Sequence, residues 1–196
     1  MIELAGRMVS LREMTASDAP LVVAWRNEPE TVRRLVQWEP LTIEAHLRWF
    51  EAARAKEILL VFTDRGGVPV GTGAFYAFDR PRRVAEWGRL CFAPGASVPF
   101  ALEASYLAHR IAFDVLALLR VHCGCAAENS PAAKLNDTLG YKREGLRRRH
   151  LATPTGYLDV LEFGMFPDEF HRNEIERLVY RGAAPPQPAT SGRPSP

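Results

Sequence analysis

A strand that stops at Pro94-Gly95, a short loop, and a helix opening near Phe100 are the first arrangement in this chain with a chemical use. The first turn of such a helix carries backbone N–H groups with no intrahelical partner and the positive end of the helix dipole. A pyrophosphate is held well there. The same pattern also serves an ordinary strand-to-helix turn, so alone it leaves both uses open. Cys91, Cys123 and Cys125 are the 3 cysteines. Their odd number and spacing fit no disulfide framework, and no second Cys/His pair stands at zinc spacing. Cys123 and Cys125, two apart on a predicted strand, point the same way and read as small core residues. Arg147-Arg148-Arg149-His150 reads as a solvated face or a phosphate contact.

These residues need elements to position them. Val9-Ser10-Leu11-Arg12-Glu13 alternates apolar and polar, the pattern of a strand. Helical segments follow through Leu21, Val22 and Trp25, through Val32 and Leu35, and from the Thr42 cap through Leu47 and Phe50. His46 is expected on the surface of the last of these. Ile58–Thr63 and Val68–Tyr76 form a hairpin around Asp64-Arg65-Gly66-Gly67, and Val84–Phe92 is the next strand. A long helix is predicted from Phe100 to Leu119, then a strand from Arg120 to Ala126. A short helix follows, capped by Ser130 with Pro131 at its first position and closed by Gly140. Gly145–Leu151 and Tyr157–Phe166 are two late strands, and one more short helix is expected to about Tyr180. The order predicts one α/β domain over residues 1–170, with a mixed sheet between helices on both faces. Residues 171–196 are expected to add a helix and a tail, which from about 182 is rich in proline and cannot bury a core.

Composition excludes several classes. Hydrophobic residues make up 47% of the 196 and charged residues 24%, enough for one core. The net charge of +2 is too small to argue for nucleic acid. No long apolar stretch suggests a leader or a membrane span, and the cysteine usage fits a reducing cytoplasm.

The run Ala127-Glu128-Asn129-Ser130-Pro131-Ala132-Ala133-Lys134-Leu135-Asn136-Asp137-Thr138-Leu139-Gly140-Tyr141-Lys142-Arg143-Glu144-Gly145 resembles the GNAT superfamily of acyl-coenzyme A N-acyltransferases. In that family a strand ends at Asn, a short helix follows, and Leu-Gly-Phe/Tyr precedes Glu-Gly. Leu11-Arg12 with Ser17-Asp18 looks like the family's opening segment. Gly156-Tyr157-Leu158-Asp159-Val160 resembles the branch of ribosomal-protein N-acetyltransferases. The resemblance covers about residues 8 to 170. It implies a mostly antiparallel sheet in which two central strands, Val84–Phe92 and Val121–Ala126, splay apart to admit the donor's pantetheine arm.

The resemblance also implies roles. Leu90, Cys91 and Phe92 would contact the pantetheine arm, and Ser97, Val98, Phe100 and Ala101 the pyrophosphate, with Asn129 supporting the site. Glu86 would be the general base that delivers a neutral amine, or else an exposed strand carboxylate. A backbone N–H at Cys91 would stabilise the oxyanion. Trp25-Arg26-Asn27 and the segment with Trp38 and Trp49 look like the branch that acetylates nucleotide-linked amino sugars. There Arg26 and Asn27 would bind polar groups, and the tryptophans would stack on a ring or pack helix to sheet. The donor would be acetyl-coenzyme A or another acyl-coenzyme A, with no metal. The acceptor would be a small-molecule amine, an amino sugar or a protein N-terminus, and the protein a monomer or homodimer away from membranes and nucleic acid.

Three positions depart from the family pattern. Ser97 and Pro99 stand where the phosphate loop has glycines, and Pro99 has no N–H to donate. Asn136 stands where many members have a tyrosine that reprotonates the leaving thiolate, leaving water, Ser130, His150 or no acid at all. Tyr141 replaces the common Phe. The weakened loop keeps two rivals open: an acyl carrier protein as donor, or a non-catalytic thioester-binding module.

Overall fold

The computed structural model describes residues 2–35, 39–181 and 185. Its strands are β1 (Glu3–Ala5), β2 (Val9–Glu13), β3 (Ile58–Asp64), β4 (Pro69–Asp79), β5 (Val84–Phe92), β6 (Arg120–Ala126), β7 (Lys142–Thr153) and β8 (Gly156–Met165). They make one 8-stranded sheet in the order β1-β2-β3-β4-β5-β6-β8-β7. Only the β5–β6 pair is parallel; every other neighbouring pair is antiparallel. The mixed, mostly antiparallel sheet is the one the sequence predicts. β1 has too few residues to show an alternation in the sequence. It holds by pairing with β2, and its central Leu4 is buried.

Alternation along the strands sends neighbouring residues to opposite faces. On one face Leu60, Phe62, Phe75, Ala85 and Trp87 pack under α4 (Val98–Arg110) and α6 (Arg172–Tyr180). On the other, Leu59 and Ala74 meet Phe50 and Ala53 of α3 (Ile43–Ala53). Beside α3 lie α1 (Ala19–Arg26) and α2 (Pro29–Leu35), joined at Asn27, which ends α1. His46 is 3% exposed, a correction to the expected surface position: its ring packs at 5.1 Å from that of Trp49 beneath α3.

The long helix expected to Leu119 is shorter. α4 ends at Arg110, and a π-helical turn over Ile111–Val115 comes next. That widened turn carries Asp114, whose carboxylate binds both Arg110 and Arg172. α5 (Ser130–Leu139) is capped by Asn129 rather than Ser130, the Asn129 Oδ1 accepting from the Ala132 N–H at 3.3 Å. Gly140 ends the helix at φ 108°, a conformation where a side chain would also meet the Glu169 carbonyl. The proline-rich tail from 182 lies outside the described residues except Pro185. Among the described residues no helix is long and apolar enough to cross a membrane.

Two buried polar groups tie α4 to the segments packed against it. Glu103 is wholly buried and accepts from the backbone N–H groups of Arg7, Met8 and Val9 at 2.5, 2.7 and 3.1 Å. His109, also wholly buried, donates from Nδ1 to the Ser105 carbonyl and accepts at Nε2 from the Tyr141 hydroxyl, both at 2.7 Å. Burial disfavours the imidazolium and pushes the His109 pKa down to about 4.

Unfolded, His109 takes a proton below about 6.5; folded, only below about 4. The fold is therefore most stable above pH 6.5 and loses stability as pH falls towards 4, by about 3 kcal/mol from this residue. Urea midpoints measured across that window should fall more steeply for the native protein than for His109→Gln. Parallel curves would remove His109 as the cause.

Candidate active site

β5 and β6 pair over only three positions, Val84↔Arg120, Ala85↔Val121 and Glu86↔His122. Beyond Glu86 the strands part. The cause is legible on β5, where the register against β4 shifts so that Arg89 and Leu90 together face Gly73, with Arg89 at φ 53°. Such a bulge bends its strand and re-aims the residues after it. β6 meanwhile stays paired to β8 as far as Ala126↔Val160. The parting opens a cleft of about 360 Å³. Glu86 to Leu90 form one wall and His122 to Ala126 the other, with α5 at one end and the β7–β8 hairpin at the other side.

The backbone edge facing this cleft is set by ladder geometry. The Ala93 N–H donates to the Val70 carbonyl at 2.9 Å, so residues on that register exchange bonds at every second pair. Cys91, in register with Thr72, therefore turns its N–H and carbonyl towards β4. Leu90 and Phe92 turn theirs to the open side. The Cys91 side chain is 4% exposed and faces Arg26 and Thr31, away from the cleft; burial pushes its thiol up to about 11. The Phe92 ring packs at 5.7 Å from Phe62.

Glu86 is half-buried at the point where the strands part, and the Tyr76 hydroxyl donates to its Oε1 at 2.8 Å. His122 flanks it on β6. The other carboxylates of the cleft, Glu144 and Glu162, are bound by arginines. Arg120 grips Glu144 through two bonds of 2.6 and 2.5 Å, and Arg147 binds Glu162. The hydrogen bonds from these guanidiniums hold both carboxyls below the usual range. His150 reaches the cleft from a bulge in β7 that sets Arg147↔Val160 beside Leu151↔Leu158. Asn136 is 8% exposed, lines the cleft, and makes no side-chain hydrogen bond among the described residues.

Of the predicted site residues, the fold brings Glu86, Leu90 and Asn129 to the cleft. Ser97 is the N-cap of α4 in extended geometry, Val98 is exposed, and Phe100 and Ala101 are half-buried. Pro99 leaves Val98 and Phe100 as the first free N–H groups of that helix, since the Ala101 N–H returns to the Ser97 carbonyl. Trp25 is buried near the end of α1. Arg26 borders a small cavity with His46, Trp49 and Arg89. The Asn27 side chain both donates to and accepts from Leu41, at 2.8 Å each, and so closes the loop between α1 and α3. Trp38 lies outside the described residues. Sequence reasoning missed Tyr76, Arg89, Arg120 and His122. Strand alternation places His122 beside Glu86 once the parallel register is known; nothing in the sequence reveals that register.

A family model described as acetyltransferase (GNAT) domain matches residues 9–142. The SPbeta prophage-derived uncharacterized N-acetyltransferase YokL of Bacillus subtilis (strain 168) is 31% identical over 103 residues, covering 52% of this chain and 58% of that protein. The chain thus matches little more than half the length of that relative. A GCN5-related N-acetyltransferase from Brucella melitensis superposes with a TM-score of 0.76 at 22% identity, over 90% of this chain and 85% of that one. Spermidine N-acetyltransferase from Vibrio cholerae, solved with CoA and spermine, gives a TM-score of 0.76 at 18% identity, over 83% and 97%. At these identities the two structures establish the fold.

Asn129 joins the two sides of the cleft: it caps α5, and its Nδ2 donates to the Arg34 carbonyl of α2 at 3.3 Å. Asn129→Ala should cost about 1 kcal/mol, a fall of about 3 °C in melting temperature. Thermal denaturation checks this, and an unchanged midpoint would remove the cap from the account.

Proposed function

The chain belongs to the GNAT acetyltransferase family, and from that premise we propose that it transfers an acetyl group from acetyl-coenzyme A to a primary amine. The observation that carries the reading is the parting of β5 from β6 after Glu86 and His122. An extended arm laid against β5 finds the free backbone groups of Leu90 and Phe92, and pairs with them as an added strand would. Ser97, with the N–H groups of Val98 and Phe100, holds the diphosphate at the start of α4. Asn129 keeps α5 and α2 in place around the arm.

A primary amine is mostly protonated at neutral pH and must lose a proton to attack. Glu86 takes that proton, directly or through one water. The amine nitrogen then bonds to the thioester carbon, and the Leu90 N–H, rather than that of Cys91, donates to the carbonyl oxygen as it becomes an oxyanion. Collapse breaks the carbon–sulfur bond, and the extra proton still on the nitrogen passes to water, which leaves a neutral amide and a thiolate. Asn136 has no titratable proton to give. The thiolate leaves without one, as its ordinary pKa near 8.5 allows.

The acceptor is a small-molecule amine, an amino sugar or a protein N-terminus. Arginines already bind Glu144 and Glu162, so Glu86 is the carboxylate left to receive an amine in the cleft. One observation favours a second donor. Pro99 removes an N–H from the loop, and Ala93 to Ala101 carries no charged side chain. A phosphopantetheine arm on a carrier protein brings the same thiol without the nucleotide's charges.

Thiol release from acetyl-coenzyme A, monitored across a panel of amines, tests the reading, with an acetyl-loaded carrier protein as the parallel donor. Release dependent on amine is expected, reduced about 100-fold or more in Glu86→Gln. Release only with the loaded carrier moves the donor to the second reading. Binding of coenzyme without release from any amine would leave a non-catalytic binding module.

A further inference from the structure

Tyr76 stands opposite Glu86 in the β4–β5 register, and its hydroxyl donates to Glu86 Oε1 at 2.8 Å. This is the one hydrogen bond of the Glu86 carboxylate among the described residues. The ring reaches Glu86 across Gly88: a Cβ there would lie 2.6 Å from the Tyr76 hydroxyl and 3.2 Å from Cε1. From its other side the ring is held by Arg89, whose guanidinium carbon lies 4.2 Å from the Tyr76 centroid and 5.0 Å from that of Trp49. Glu57 binds both terminal nitrogens of Arg89. The bulge that parts β5 from β6 is thus the same bend that sends Arg89 under Tyr76.

Resting on the reading of Glu86 as the base, we propose that Tyr76 is its positioning residue and that Gly88 is the gap through which Tyr76 reaches it. One carboxylate oxygen is occupied by the phenol, so the other is turned to the incoming amine. Burial, and then the bond to Glu86, push the Tyr76 pKa up, so the phenol stays a donor throughout turnover. Tyr76 neither gives nor takes a proton in the reaction; it restricts the rotation of the group that does.

The test is a set of double-mutant cycles on amine-dependent thiol release, with coenzyme binding and melting temperature measured alongside. Tyr76→Phe keeps the ring, the Arg89 stack and the space over Gly88, and should lower kcat about tenfold or more, the effect of losing a hydrogen bond to a charged group. Melting temperature should fall by a few degrees, as loss of one part-buried hydrogen bond implies, and coenzyme affinity should stay unchanged. On a Glu86→Gln background Tyr76→Phe should add nothing. Gly88→Ala should lower kcat in the native background, and by less once Tyr76→Phe has removed the oxygen it would strike. A downfield hydroxyl proton in the NMR spectrum, absent in Tyr76→Phe and shifted in Glu86→Gln, reads the contact without turnover. If Glu86→Gln lowers kcat while Tyr76→Phe does not, or if their effects add in full, the inference falls and the base stands. Full activity in Glu86→Gln removes the base itself, and the positioning role with it.

Discussion

Two parallel strands that stop exchanging hydrogen bonds after three positions are the constraint on which the rest of this molecule depends. Backbone N–H and carbonyl groups inside a protein need partners, and a sheet normally supplies them along its whole length. Here β5 is bulged at Arg89 while β6 stays paired with β8, so the backbone groups of Leu90 and Phe92 turn away from β4, and Leu90 lines the cleft. An edge made in the middle of a sheet is a place where an extended ligand completes the ladder.

The surroundings are arranged to keep that gap rigid on both sides. Trp87 packs at 4.6 Å from Phe75 and 5.4 Å from His109, fixing β5 to α4 just before the bulge. His109 is in turn bonded to Tyr141 at the end of α5. On the opposite face Arg89 lies against Tyr76 and Trp49, with Glu57 neutralising its charge. The bulge is therefore held from an aromatic core on one side and a cation–aromatic stack on the other. Asn129 adds a tie from α5 to α2 across the cleft.

Electrostatics inside the cleft depend on pairing more than on burial. Glu144 and Glu162 are bound by Arg120 and Arg147, which leaves those carboxylates ionised and already engaged. Glu86 has a phenol where the others have a guanidinium. A phenol orders a carboxylate through a hydrogen bond without pairing it with an opposite charge. The thiols of Cys91 and Cys123 are both pushed up by burial and remain protonated, which suits core residues and not nucleophiles.

The sequence by itself determined the class of fold, because alternation, the turn at Asp64-Arg65-Gly66-Gly67 and the Asn129–Gly145 run are local signals. It also singled out Glu86, Leu90 and Asn129 through the family resemblance of the segments that carry them, and the fold places all three along the cleft. It could not determine the facing of Cys91, which depends on a one-residue shift between β4 and β5, nor the burial of His46 beneath α3. Tyr76, Arg120 and His122 were likewise illegible, each belonging to the site through a strand other than its own. Register and bulge are decided only when strands meet, because the side-chain period of two makes a single inserted residue reverse which way every later group points.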